Sequence, residues 1–121
     1  PVKVSRKGLR VELKDKVAVI TGAASGIGKA TAQAMARLGA QVVVVDLNDT
    51  GALAVAAEID GLAIGCDVGN EDSVNAMVAE VESKLGPVDV LFNNFFVDSL
   101  KINSFVGGFF KTLFMTKKSS M

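Results

Sequence analysis

An unbroken apolar run, Val17, Ala18, Val19 and Ile20, leads directly into Thr21, Gly22, Ala23, Ala24, Ser25, Gly26, Ile27 and Gly28, and an alanine-rich stretch follows. A run apolar at every position suits a parallel strand covered on both faces, and the spacing beyond the glycines is that of a helix. A glycine turn therefore joins a buried strand to a helix. Gly22 permits the sharp bend, Gly26 lets backbone approach a ligand without a Cβ in the way, and Gly28 allows close helix–strand packing. The N–H groups and the positive dipole end at the helix start make this a place for a dinucleotide pyrophosphate.

The spacing GxxxGxG differs from the general dinucleotide fingerprint GxGxxG, so the motif takes its meaning from its surroundings. Gln41 to Val45 reads as a second buried strand closed by Asp46, which lies 18 residues after Gly28, near where a ribose-binding acid is expected. Leu62 to Cys66 reads as a third strand and Val88 to Phe92 as a fourth. Between them, Ser25 to Leu38 has helical spacing through Ile27, Ala30 or Thr31, Ala34, Met35 and Leu38, with Gly39 as its stop. Asn48, Asp49 and Thr50 offer caps for a helix to about Ile59, ended by Gly61, with Leu53, Ala56, Ala57 and Ile59 available for burial. Asn70 with Glu71 and Asp72 opens another helix, striped by Val74, Met77, Val78, Val81 and Leu85 and stopped by Gly86 and Pro87. This alternation predicts a doubly wound α/β fold, with right-handed crossovers, helices on both faces and strand order 3-2-1-4.

From Leu13 to Asn94 the chain resembles the short-chain dehydrogenase/reductase family. The resemblance rests on Thr21 to Gly28 as TGxxxGIG, on Asp46, on Cys66, Asp67 and Val68 closing the third strand, and on Asp89, Val90, Leu91, Phe92, Asn93 and Asn94, where the family reads on into NNAG. It implies a Rossmann-type sheet, NAD(H) or NADP(H) as cofactor, and hydride transfer between the nicotinamide and an alcohol or carbonyl carbon. It implies cofactor contacts at Gly22, Ser25, Gly26, Ile27, Gly28, Asp46, Asp67, Val68 and Asn93, with Asp67 and Val68 receiving the adenine. The carboxylate of Asp46 can accept both adenosine-ribose hydroxyls, whereas a 2′-phosphate would meet a like charge. At ~4 Å and an effective dielectric of ~20 that repulsion is roughly 4 kcal/mol per charge pair before screening. Neither Ser25 nor Leu47 supplies a cation, so NAD is expected over NADP. The plainer readings are a strand-ending Asp46 that caps a turn and a loop Asp67 that caps the next helix. Thr21 is expected to brace the turn, and Lys29 and Arg37 to be solvated helix charges.

The same resemblance implies a catalytic Ser and a YxxxK pair beyond the fourth strand, yet the sequence has no Tyr and no His. Six of its seven Phe lie after Asn94, at 95, 96, 105, 109, 110 and 114, and Phe95 and Phe96 stand where the family has Ala-Gly. The expected organisation is a basic leader over 1–12, an incomplete dinucleotide-binding domain over 13–94, and a divergent Phe-rich tail over 95–121. A changed reading frame or alternative exon accounts for the tail in one way, and an internal deletion in another. Under the deletion, Asn103 is the one catalytic-type residue left. Two further readings stay open: a non-catalytic nucleotide-binding module associating with a full-length relative, and a product without function.

Thirteen basic and thirteen acidic residues balance overall, but six basic and two acidic side chains occupy 1–16, while three and ten occupy 17–94. An acidic central domain argues against a nucleic-acid partner. No apolar run approaches the ~18 residues of a membrane span, so a cytoplasmic protein is expected. The single Cys66 excludes an internal disulfide and a cysteine-rich metal site, and fits core packing in a reducing compartment. No metal site is expected, and Val88, Val90 and Phe92 are expected on an exposed sheet edge.

Overall fold

The computed structural model describes residues 3–4 and 11–94. Its elements run β1 (Lys3–Val4), β2 (Val11–Glu12), β3 (Val17–Thr21), α1 (Gly26–Arg37), β4 (Gln41–Asp46), α2 (Asp49–Ile59), β5 (Leu62–Gly65), α3 (Glu71–Leu85) and β6 (Val90–Phe92). Four strands form one parallel sheet in the order β5-β4-β3-β6, which is the expected 3-2-1-4. β1 and β2 pair antiparallel as a separate two-stranded ladder inside the segment read as a leader. Val17 sits opposite Gln41 and Thr21 opposite Val45, while Asp46 sits opposite Gly65. The carboxyl ends of β3, β4 and β5 therefore share one edge of the sheet.

Alternate strand residues face opposite layers, so the apolar runs build two cores. Val17, Val19, Val43, Val45 and Ile64 pack with Val74, Met77, Val78 and Val81 of α3. On the other face Ala18, Ile20, Val42 and Val44 pack with Ala32 of α1 and Ala52, Val55 and Ala56 of α2. Val19, Ile20, Val43, Val44 and Val45 are fully buried, each contributing about 1.5–3 kcal/mol relative to an exposed side chain. The α3 stripe matches its sequence pattern, with Leu85 half-buried at its end.

The other two helices present only part of the face their spacing suggested. In α1 the buried positions are Gly28 and Ala32, with Met35 and Ala36 packed beside them, while Ile27 is 70% exposed and Ala30 is exposed. In α2, Ala56 is buried and Ile59 packs against the core as expected, but Leu53 and Ala57 are exposed and Ala52 and Val55 are buried in their place. Small residues on α1 allow the helix to lie close to the sheet, so the larger Ile27 is turned away. Helix starts follow expectation at Asn48 and Asn70, whose side chains accept 3.0 Å hydrogen bonds from the N–H groups of Gly51 and Ser73. The left-handed residue ending α2 is Asp60 (φ 55°), not Gly61. Gly61 is required for a different reason, because a Cβ there would stand 2.8 Å from the Val42 carbonyl oxygen.

Strand ends shift slightly from the sequence reading. β5 closes at Gly65, although the Cys66 N–H still donates to the Asp46 carbonyl at 3.1 Å. β6 begins at Val90, and Asp89 ahead of it exchanges hydrogen bonds with Val17: its N–H donates to the Val17 carbonyl, and its carboxylate accepts from the Val17 N–H, both at 2.9 Å. Val90, Leu91 and Phe92 are half-buried, and among the described residues β6 pairs with β3 alone. No helix among the described residues is long and apolar enough to cross a membrane.

Candidate dinucleotide site

The site begins where β3 runs out. Thr21 is fully buried, and Gly22 turns the chain at φ 63°. The Ala23 N–H donates to the Val45 carbonyl at 3.1 Å, which ties the turn to the neighbouring strand. A Cβ on Gly22 would collide with the Asn94 carbonyl oxygen, and one on Gly28 would collide with the Gly22 carbonyl oxygen. Both glycines are thus dictated by close backbone approach. Gly26 differs: it has φ 58°, and nothing lies within 4 Å of where its Cβ would be. Open space beside a left-handed glycine at a helix start is the room a phosphate group needs.

The start of α1 is also electrostatically distinct. Ser25 makes no side-chain capping hydrogen bond, and the first turn carries no acid, whereas α2 and α3 begin with capping asparagines and acidic residues. The first N–H groups of α1 have no acceptor one turn back, so they and the dipole face the open space by Gly26. The residues present therefore fit a pyrophosphate.

Asp46, at the end of β4, reaches this turn directly. One carboxylate oxygen accepts from the Ala24 N–H at 3.0 Å, and the other accepts from the Asn48 N–H at 3.0 Å. It both joins the glycine turn and caps its own. Each oxygen keeps a further lone pair, so ribose hydroxyls can still be accepted. Leu47 beside it is 75% exposed.

Asp67 lies exposed after β5, and its carboxylate accepts from the Gly69 N–H at 3.0 Å within its own loop, while the cap of α3, the plainer reading for Asp67, is Asn70. Val68 is half-buried against the α3-side core. Cys66 is buried, and burial pushes its thiol up from the ordinary range, opposed by a hydrogen bond from the Ser73 hydroxyl and aided by the Asp67 charge. Lys29 points towards α2, with its amine 3.9 Å from Glu58. Among the described residues no cluster of His, Cys, Asp and Glu is suited to hold a metal.

Of the Asn93–Asn94 doublet, Asn94 is the residue that touches the turn. Its N–H donates to the Thr21 hydroxyl at 2.9 Å, and its side-chain amide donates to the Gly22 carbonyl at 3.4 Å. Asn93 is exposed beside it. The sequence reading placed Asn93 among the cofactor contacts, and the doublet alone could not say which member turns inward. Asn103, Phe95 and Phe96 lie outside the described residues.

Comparison with known proteins fits this arrangement. The family model for short chain dehydrogenases matches residues 16–112, and the chain belongs to that family. It is 44% identical over 89 residues to tropinone reductase-like 1 of Erythroxylum coca, covering 72% of this chain and 33% of that protein. It is 45% identical over 87 residues to D-threitol dehydrogenase of Mycolicibacterium smegmatis, covering 68% and 34%. Hydroxysteroid dehydrogenase from Escherichia coli superposes with a TM-score of 0.77 at 31% identity, over 90% of this chain and 52% of that one. The chain spans about a third of the length of the curated relatives it matches. The family match also runs past Asn94, where the sequence reading had ended the resemblance, and takes in Asn103.

Proposed function

We propose that this chain supplies the cofactor half of an oxidoreductase that moves hydride between a nicotinamide and a small alcohol or carbonyl compound, with NAD preferred over NADP. The observation that carries the proposal is the 3.0 Å hydrogen bond between the Asp46 carboxylate and the Ala24 N–H, which sets an acid against the glycine turn. In it, the N–H groups at the start of α1 hold the pyrophosphate beside Gly26, with Ser25, Ile27 and Gly28 around it. Asp46 receives the adenosine ribose, Asp67 and Val68 border the adenine, and Asn93 and Asn94 border the far side of the turn. A nicotinamide group, when bound, accepts or donates the hydride.

The family resemblance assigns proton transfer to a Tyr in a YxxxK pair, and this sequence has no Tyr. General acid–base catalysis of that kind is worth ~10²–10⁴ in rate, so the 121-residue chain by itself is expected to bind cofactor without turnover. A non-catalytic nucleotide-binding module, associating with a full-length relative, is the second reading, and it rests on that same missing group. The family match through residue 112 favours an internal deletion over a changed reading frame as the origin of the segment after Asn94. A reducing, cytoplasmic setting suits the buried free Cys66.

Calorimetric titration tests the cofactor reading. NAD is expected to bind with a dissociation constant near millimolar, about −4 kcal/mol, and NADP more weakly. Asp46→Ala is expected to weaken NAD and narrow that difference. Equal binding of NAD and NADP would refute the NAD preference, and a sub-micromolar constant would refute the expected weak affinity. Alcohol oxidation by the isolated chain would refute the expected lack of turnover.

A further inference from the structure

The short strand β6, which among the described residues pairs with β3 alone, and the glycine turn are joined through one continuous set of contacts. At the start of β6, Asp89 clasps Val17 by two 2.9 Å hydrogen bonds. Ala18, Val19 and Ile20 then stand opposite Val90, Leu91 and Phe92. At the far end the Thr21 hydroxyl donates to the Phe92 carbonyl at 3.5 Å and accepts from the Asn94 N–H at 2.9 Å. Asn94 then donates to the Gly22 carbonyl, and its own carbonyl fills the space a Cβ on Gly22 would take. The turn is thus shaped on one side by residues that reach it only when β6 is docked.

We infer that Asp89 is a positioning residue for the phosphate turn, acting through β6 and Asn94, so that docking of this strand and the ligand-ready shape of Gly22 to Gly28 form one linked opening equilibrium. The three residues of β6 are only half-buried, whereas those of β3 are fully enclosed, so β6 is the weaker member of the pair. Elements with less burial open at lower free energy. When β6 leaves, Gly22 loses the Asn94 contacts that fix its bend. A ligand that needs the bend then binds with an affinity lowered by the fraction of molecules in which β6 is docked. The inference extends the proposed NAD reading to the strand that controls it, but the coupling itself is a property of the free chain.

Amide hydrogen exchange on the full 121-residue chain without nucleotide decides it. Asp89→Ala is expected to speed exchange about tenfold in both 88–94 and 21–28, the effect of losing one hydrogen bond to a charged acceptor, while β5 keeps its protection. Asp89→Asn retains an acceptor for the Val17 N–H and is expected to restore both segments together. Val81→Ala, a core change on α3, serves as a general destabilisation and is expected to leave 21–28 and 88–94 no more exposed than the rest of the sheet. In the unmodified chain, low denaturant is expected to bring the amides of both segments onto one opening curve, a measurement that needs no variant to fold. Separate curves, or a protected 21–28 in the Asp89→Ala protein, would overturn the coupling. Adding NAD is expected to slow both segments together. Protection of 21–28 without 88–94 would also overturn the coupling, whereas absence of any NAD binding defeats the cofactor reading and leaves the nucleotide-free result decisive.

Discussion

At the residue scale, the same carboxylate does different work according to what surrounds it. Asp46 is bound into the glycine turn, Asp67 is bound only to its own loop through Gly69, and Asp60 ends a helix in a left-handed conformation that favours Gly, Asn or Asp. Sequence supplied the identity of each, and the position of Asp46 at a strand end was legible from the valine run before it. Cys66 makes a residue-scale prediction. Its thiol is held above the ordinary range by burial, so the folded state favours the neutral form more than the unfolded state does. The resulting stability is fully present below the ordinary thiol pKa, about 8.5, and is lost as pH rises through the raised value. Urea unfolding followed from pH 7 to 10 is therefore expected to show the unmodified protein losing stability relative to Cys66→Ala above about pH 8.5. Parallel curves for the two proteins would count against it.

At the scale of elements, the strands were more legible than the helices. Val17–Thr21 and Gln41–Asp46 are apolar on both faces, so no choice of face had to be made. For α1 the sequence offers two apolar faces, one through Ile27, Ala30 and Ala34 and one through Gly28, Ala32 and Ala36. Hydrophobicity favours the first, and closeness of approach favours the second. The sheet selects the second because Gly28 must lie against the Gly22 carbonyl, which rotates Ala32 inward and Ile27 outward. Leu at position 32 is accordingly expected to cost about 1–3 kcal/mol by overpacking. Leu at position 30 is expected to change stability by no more than about 0.5 kcal/mol. Denaturation midpoints for Ala32→Leu and Ala30→Leu give the ranking, and the reverse order would mean the helix is turned the other way.

At the scale of the whole molecule, the sheet order brings the ends of β3 and β4 together and sets the acid of one against the turn of the other. A ligand seated across both strands stabilises the folded chain by mass action. With a dissociation constant near 1 mM, 10 mM NAD is expected to add roughly 1.4 kcal/mol and raise the melting temperature by several degrees, with a smaller rise from NADP at the same concentration. Calorimetric melting measures both, and equal shifts would remove the assigned preference. The sequence by itself determined the alternation of strands and helices, the glycine turn and the acid that ends β4, because these follow from backbone sterics and apolar spacing within short windows, while the strand order was expected from crossover rules and the family resemblance. Tertiary structure alone decided which face of α1 is inward, that Asn94 is the member of its doublet that touches the turn, and that Asp89 is clasped to Val17. Each of those choices depends on contacts between residues far apart in the chain, where many side chains meet the local rules equally well and only the packed sheet distinguishes them.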